Sequence, residues 1–170
     1  VRRHGQDVTL TLTVDPNVSD EHLIAIAKDL PVITEYFIEG KAYIAKKVYD
    51  DLSPFDLTES HEFYIKNSRT PVENFWEEMK KNNTVLENIN LVFKDMELRK
   101  EIWDRLKALG LASVTAATTK NIEITSLYAT KAQALEKLCE VLGFSRENVL
   151  AMGDGDNDMP MIQFAGIGVA

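Results

Sequence analysis

The stretch Val149-Leu150-Ala151-Met152-Gly153-Asp154-Gly155-Asp156-Asn157-Asp158 decides how the chain is read. Four apolar residues run straight into a loop of Gly, Asp and Asn. Met159-Pro160-Met161-Ile162-Gln163-Phe164 then restarts an apolar pattern, and Ala165-Gly166-Ile167-Gly168-Val169-Ala170 follows. A short apolar run bounded by turn residues reads as a buried strand. The acidic loop therefore lies at the carboxyl end of a strand with a helix starting behind it, which is where open α/β sheets bind ligands. Asp154, Asp156 and Asp158 repel one another unless a cation sits among them, and hard oxygen donors of this kind suit magnesium or calcium. A cluster of this composition is often only a solvated turn, but the flanking strand and helix argue against that. A calcium-binding EF-hand loop wants Gly at its sixth position and Glu at its twelfth; Met159 and Ala165 stand there instead.

Working outward, Asp154 follows the strand closely enough to point into a cleft. Asp158 lies near the start of the next helix, whose N-terminus favours negative charge. Gly153 and Gly155 let the backbone turn tightly, and Asn157 can donate its amide hydrogens to an anion such as phosphate. Upstream, Lys131 opens a helix over 131–142. A cation at a helix N-terminus opposes the dipole, a mild sign of a task beyond that of a solvated surface lysine. Beside an acidic metal loop it suggests a lysine-plus-metal pair handling a phosphoryl group. His4, His22 and His61 are isolated. Trp76, Trp103 and Cys139 sit in apolar helical stripes and are read as core.

Composition narrows the function classes. The chain has 170 residues, 45% apolar and 27% charged, an ordinary globular mixture. A net charge of −8 disfavours a nucleic-acid binder, whose footprint would be a basic stripe. A single cysteine excludes an internal disulfide framework and fits a reducing compartment. No apolar run approaches the ~20 residues of a membrane span, and no signal peptide is visible, so a cytoplasmic location without membrane partners is expected. The chain starts at Val1 and stops inside an apolar segment, and is read as a piece of a longer protein.

In chain order, the alternation from Val8 to Val14 predicts a strand, and Ser19 a cap for a helix over 20–30. Ile33 to Ile38 and Ala42 to Val48 predict strands around the Glu39-Gly40-Lys41 hairpin turn. His61 to Lys66 reads as a short strand, and Pro71 as the start of a helix to about Asn82. A strand over 87–94, a helix capped by Asp95 and stopped by Gly110, and a strand pair over 112–117 and 121–125 follow. This order predicts an α/β open sheet with helices on one face. The expected division is an α/β domain over 1–125 and part of a second, doubly wound domain over 126–170.

From Lys131 onward, the pattern Lys-(x)3-Leu-(x)2-Leu-(x)3-Leu-Gly, then Val-Leu-Ala-Met-Gly-Asp-Gly-Asp-Asn-Asp-Met-Pro-Met-Ile-(x)2-Ala-Gly-Ile-Gly-Val-Ala from Val149, resembles the haloacid dehalogenase-like hydrolases, and within them the Cof-type sugar-phosphatase branch. The first 120 or so residues resemble that branch's α/β cap domain only in element order. The resemblance implies a Rossmann-like core fragment that, in the intact protein, hydrolyses phosphate esters with Mg²⁺. It assigns Lys131 to neutralising nucleophile and phosphate, Asp154 to Mg²⁺, Asn157 to the phosphate, and Asp158 to the metal shell or to Lys131. Ala132 replaces a usual Gly. The family's Asp-x-Asp-Gly-Thr nucleophile motif is missing; Asp15-Pro16-Asn17 is no substitute. Covalent catalysis through an aspartyl phosphate needs that carboxylate, so the fragment alone is expected to be inactive. The partner implied is a small phosphorylated metabolite, and a homodimer is compatible with the chain. Two alternatives stay open: a phosphotransferase or phosphomutase of the same superfamily, and a non-catalytic cap-like module for binding or dimerisation.

Overall fold

The computed structural model describes residues 2–3, 6–7, 14 and 24–170. The chain divides into two compact units, one over Thr13–Ser126 and one made of Val1–Leu12 with Leu127–Ala170. They are called here the sheet unit and the loop unit. In the loop unit, β1 (Arg2–Arg3) pairs antiparallel with β2 (Gln6–Asp7).

The sheet unit contains a short helix α1 (Ile24–Ala27), then β3 (Ile33–Ile38) and β4 (Lys41–Ala45). Glu39 and Gly40, at φ 50° and 70°, make the turn between these strands. Two consecutive left-handed residues give a turn whose twist matches paired strands, and the Gly40 N–H donates to the Glu87 carboxylate at 3.0 Å. Next come α2 (Lys46–Asp50), α3 (Glu59–Ser68), β5 (Arg69–Val72), α4 (Phe75–Lys81), β6 (Asn88–Val92), α5 (Met96–Leu109), β7 (Ser113–Thr115) and β8 (Asn121–Thr125). The strands form one six-stranded sheet in the order β5-β4-β3-β6-β8-β7, antiparallel except for β4 with β5.

Strand side chains alternate between faces, and each face has its own packing. Tyr36, Ile89, Leu91, Ile122 and Ile124 meet Phe75 and Met79 of α4 and Ile102 and Leu106 of α5. Val14 joins this core and its N–H donates to the Leu86 carbonyl. On the opposite face, Ile33, Ile44 and Val92 pack against Leu52 and Ile65 from the segment containing α2 and α3. A polar chain also runs across that face. Arg69 donates twice to Glu35, at 2.6 and 3.1 Å. Asn90 donates to Glu35 at 2.9 Å, and Asn121 to Asn90 at 2.9 Å. Glu35, only 1% exposed, is thus fully engaged between β5 and β6, as a buried charge must be.

The loop unit continues with α6 (Lys131–Leu142), β9 (Leu150–Met152), α7 (Met159–Phe164) and β10 (Ile167–Val169). Thr130 and Gln133 form a capping box at the start of α6. β9 and β10 run parallel with Ile167 opposite Leu150, so the chain makes a β-α-β crossover through α7.

Three expectations are corrected. The strand over His61–Lys66 is helix α3: Thr58 accepts a hydrogen bond from the His61 N–H, and Glu59 and Glu62 favour the first turn. Pro71 does not open a helix but lies in β5, an edge strand, where a missing N–H costs no ladder bond; α4 starts at Phe75. Residues 46–48, expected to extend β4, begin α2. The strand expected over Val8–Val14 lies outside the described residues except for Val14; of the helix expected over 20–30, the described residues 24–30 show α1 ending at Ala27, with a turn through Leu30, whose N–H donates to the Ala27 carbonyl.

Candidate active site

β9 ends at Met152, and Gly153 hands the chain to the acidic loop while its N–H still donates to the Val169 carbonyl of β10 at 3.2 Å. The loop then folds back. The Asp158 N–H donates to the Gly155 carbonyl at 2.9 Å, and the Asp158 carbonyl accepts from Ile162, starting α7. This return brings the Asp158 side chain directly over Gly153. A Cβ at residue 153 would stand 2.4 Å from the Asp158 Cβ and 2.6 Å from its Oδ2, so only glycine fits.

The Asp158 carboxylate is 7% exposed as a residue and both its oxygens have partners. Oδ1 accepts from the Lys131 ammonium, and Oδ2 from the Gly155 N–H at 3.3 Å. The Lys131 hydrogen bond, then the Gly155 N–H, hold the Asp158 carboxyl below its ordinary value. Lys131 is the first residue of α6 and stays half exposed. The cation placed against its helix dipole is therefore balanced by a carboxylate from 27 positions further along the chain.

The structure thus brings Lys131 and Asp158 together. Asp154 and Asp156 are exposed, Asn157 half-buried. Among the described residues no three His, Cys, Asp or Glu side chains converge as a metal cluster. The donor chemistry nevertheless fits a hard divalent cation at Asp154, an exposed carboxylate at the end of a parallel strand. Each Asp158 oxygen accepts one hydrogen bond and keeps a second lone pair, so Asp158 could join it while still holding Lys131 and the Gly155 N–H. The backbone N–H groups of Gly155 and Asp154, both acting on Asp158, were not singled out from the residue types; the closely spaced glycines were the available signal. Chemically, the loop unit offers an ammonium anchored by Asp158 and an exposed carboxylate, Asp154, four residues before Asp158 in the same loop, groups suited to a phosphoryl group and its counter-cation.

Comparison with known proteins places the chain in a family. The profile of the haloacid dehalogenase-like hydrolases matches residues 10–170. The chain belongs to that family. A 5-amino-6-(5-phospho-D-ribitylamino)uracil phosphatase of Bacillus subtilis, YcsE, is 44% identical over 77 residues, which is 45% of this chain and 31% of that protein. A phosphoglycolate phosphatase of Methanopyrus kandleri is 50% identical over 40 residues, 24% of this chain and 17% of the relative. A haloacid dehalogenase-like hydrolase structure from Bacteroides thetaiotaomicron superposes with a TM-score of 0.71 at 22% identity, over 96% of this chain and 58% of its own. One from B. subtilis gives 0.72 at 22%, over 91% and 59%. The match spans less than two thirds of each of these proteins.

Proposed function

We propose that the intact protein is a Mg²⁺-dependent phosphomonoester hydrolase of small phosphorylated metabolites, sugar and sugar-alcohol phosphates among them, working in the cytoplasm. The observation that carries this reading is the Lys131–Asp158 ion pair formed at the loop that follows β9. Asp158 fixes the ammonium; Lys131 presents positive charge to a phosphoryl oxygen and to a nucleophilic carboxylate; Asn157 offers amide hydrogens to the same group. Asp154 would hold Mg²⁺, which when bound neutralises charge on the transferring phosphoryl group. The sheet unit takes the part of a cap and the loop unit that of the core. The relatives' names support the substrate class: YcsE, YitU and YwtE of B. subtilis are each named for a phosphoribitylaminouracil.

The 170 residues contain no Asp-x-Asp-Gly-Thr sequence, so the carboxylate that forms the aspartyl phosphate comes from another segment. The test is phosphate release from a panel of sugar and ribityl phosphates with and without Mg²⁺, using the full-length protein beside this chain. Activity only in the long form with Mg²⁺ is the expected result. Turnover by the 170 residues alone, or none by the long form, would overturn the assignment.

A further inference from the structure

The sheet unit holds a cavity of about 400 Å³, within the size range of small-molecule sites. Its walls are aromatic and aliphatic: Phe55, Phe75 and Trp76, with Leu30, Val32 and Val48. Phe75 and Trp76 meet edge to face at 5.1 Å, so the two rings brace each other. One buried hydroxyl, Thr34, lines the floor. Lys28 from the end of α1 and Lys47 from α2 also line it and are exposed. Among the described residues neither lysine is in an ion pair. The acid on the same rim, Asp51, is engaged by the N–H and hydroxyl of Ser53 at 3.0 and 2.7 Å. In a chain of net charge −8, two lysines that no ion pair engages among the described residues stand with one hydrogen-bonded carboxylate at the mouth of an apolar hollow, a locally positive balance.

We propose that this cavity is a second ligand site, for a small aromatic anion. One or two rings lie against Trp76, Phe75 and Phe55, Thr34 offers a hydrogen bond, and a carboxylate or phosphate reaches Lys28 and Lys47. The rings supply apolar contact, and the lysines discriminate charge. The site shares no residue with the Lys131–Asp158 pair, belongs to the other compact unit, and does not depend on the phosphatase reading. A ligand that binds only the folded sheet unit also stabilises it.

Trp76 and Trp103 are the two tryptophans of the chain, so the indole N–H signals in a ¹H–¹⁵N spectrum, assigned with a Trp103→Phe variant, report the cavity and an internal control. With 2-naphthoate as the probe, the Trp76 signal is expected to shift saturably while that of Trp103 stays. The neutral counterpart 2-naphthalenemethanol is expected to bind roughly tenfold more weakly, the size of one lost charge contact. The double variant Lys28→Gln, Lys47→Gln is expected to bring naphthoate down to the alcohol's level. Both side chains are exposed, so the fold is retained, and an unchanged circular dichroism spectrum checks this. An unmoved Trp76 signal at millimolar naphthoate, equal shifts of both tryptophans, or undiminished naphthoate binding by the double variant would each overturn the proposal.

Discussion

The hydrogen atom that serves Gly153 as a side chain decides where Asp158 can stand. Gly153→Ala would set a methyl group 2.4 Å from the Asp158 Cβ, and the carboxylate would have to leave Lys131. In the full-length protein this substitution is expected to lower phosphatase kcat by roughly a hundredfold or more, the scale of losing one preorganised charged group. Asp158→Asn is expected to do the same while leaving the glycine contact intact; steady-state rates of the two variants check this. The ion pair also has a pH signature. Asp158 has a folded value below its ordinary 3.8, so its contribution is fully present above that pH and is lost only as the pH falls through the depressed value. A ¹³C carboxyl titration should therefore place the Asp158 midpoint below 3.8, and Lys131→Met should move it upward. Lys131, Asp154, Asn157 and Asp158 stood out in the sequence because their chemical types are unusual for where they sit. That Lys131 and Asp158 share a hydrogen bond was one of the two roles the family resemblance implied for Asp158; the local pattern of residues could not show it, because it depends on a crossover and a close approach.

At the scale of elements, the Arg69–Glu35–Asn90–Asn121 chain ties four strands together across their ladder bonds. A one-residue slip of β3 would turn Glu35 to the apolar face. Arg69→Met leaves a buried carboxylate without its cation and is expected to cost about 3–5 kcal/mol in urea unfolding, whereas the double change Glu35→Met, Arg69→Met should recover most of that. Tyr36, beneath α4, has its phenol pushed up to about 12 by burial first, and then by Glu78 and Tyr43. A raised value means that the stabilisation is intact below the unfolded value of 10.0 and is lost as the pH rises toward 12. Absorbance titration should show one tyrosine ionising about two units late, together with a sheet unit that weakens above pH 10. Strands with clean alternation, such as β3, and helices with a cap and a stop, such as α5, were legible. α3 and β5 were not. Phe63, Tyr64 and Ile65 mimic a strand, but of these only Ile65 is buried, and the Thr58 cap outweighs their β propensity. Pro71 fits a helix start and an edge strand equally well by local rules, and only the sheet order distinguishes the two.

Across the whole molecule, the parallel pair β9–β10 is unusual in its exposure. Met152 is 62% and Ile167 58% exposed, with Leu150 and Val169 also open. Parallel strands are ordinarily covered on both faces. In the intact protein these side chains are expected to be buried. Met152→Lys should then change the urea midpoint of this chain little but destabilise the full-length protein by roughly 2–5 kcal/mol. The division of the chain has a consequence in time as well as in space. β1 and β2 group with residues 127–170, and the sheet unit lies between them in the sequence. A ribosome releasing the polypeptide from its first residue onward can let the sheet unit condense once residue 126 has cleared the exit tunnel. The loop unit must wait for its last strand. Lys131 and Asp158 both follow the sheet unit in the sequence, so they meet only after the more than a hundred residues before them and the 27 positions between them have been synthesised.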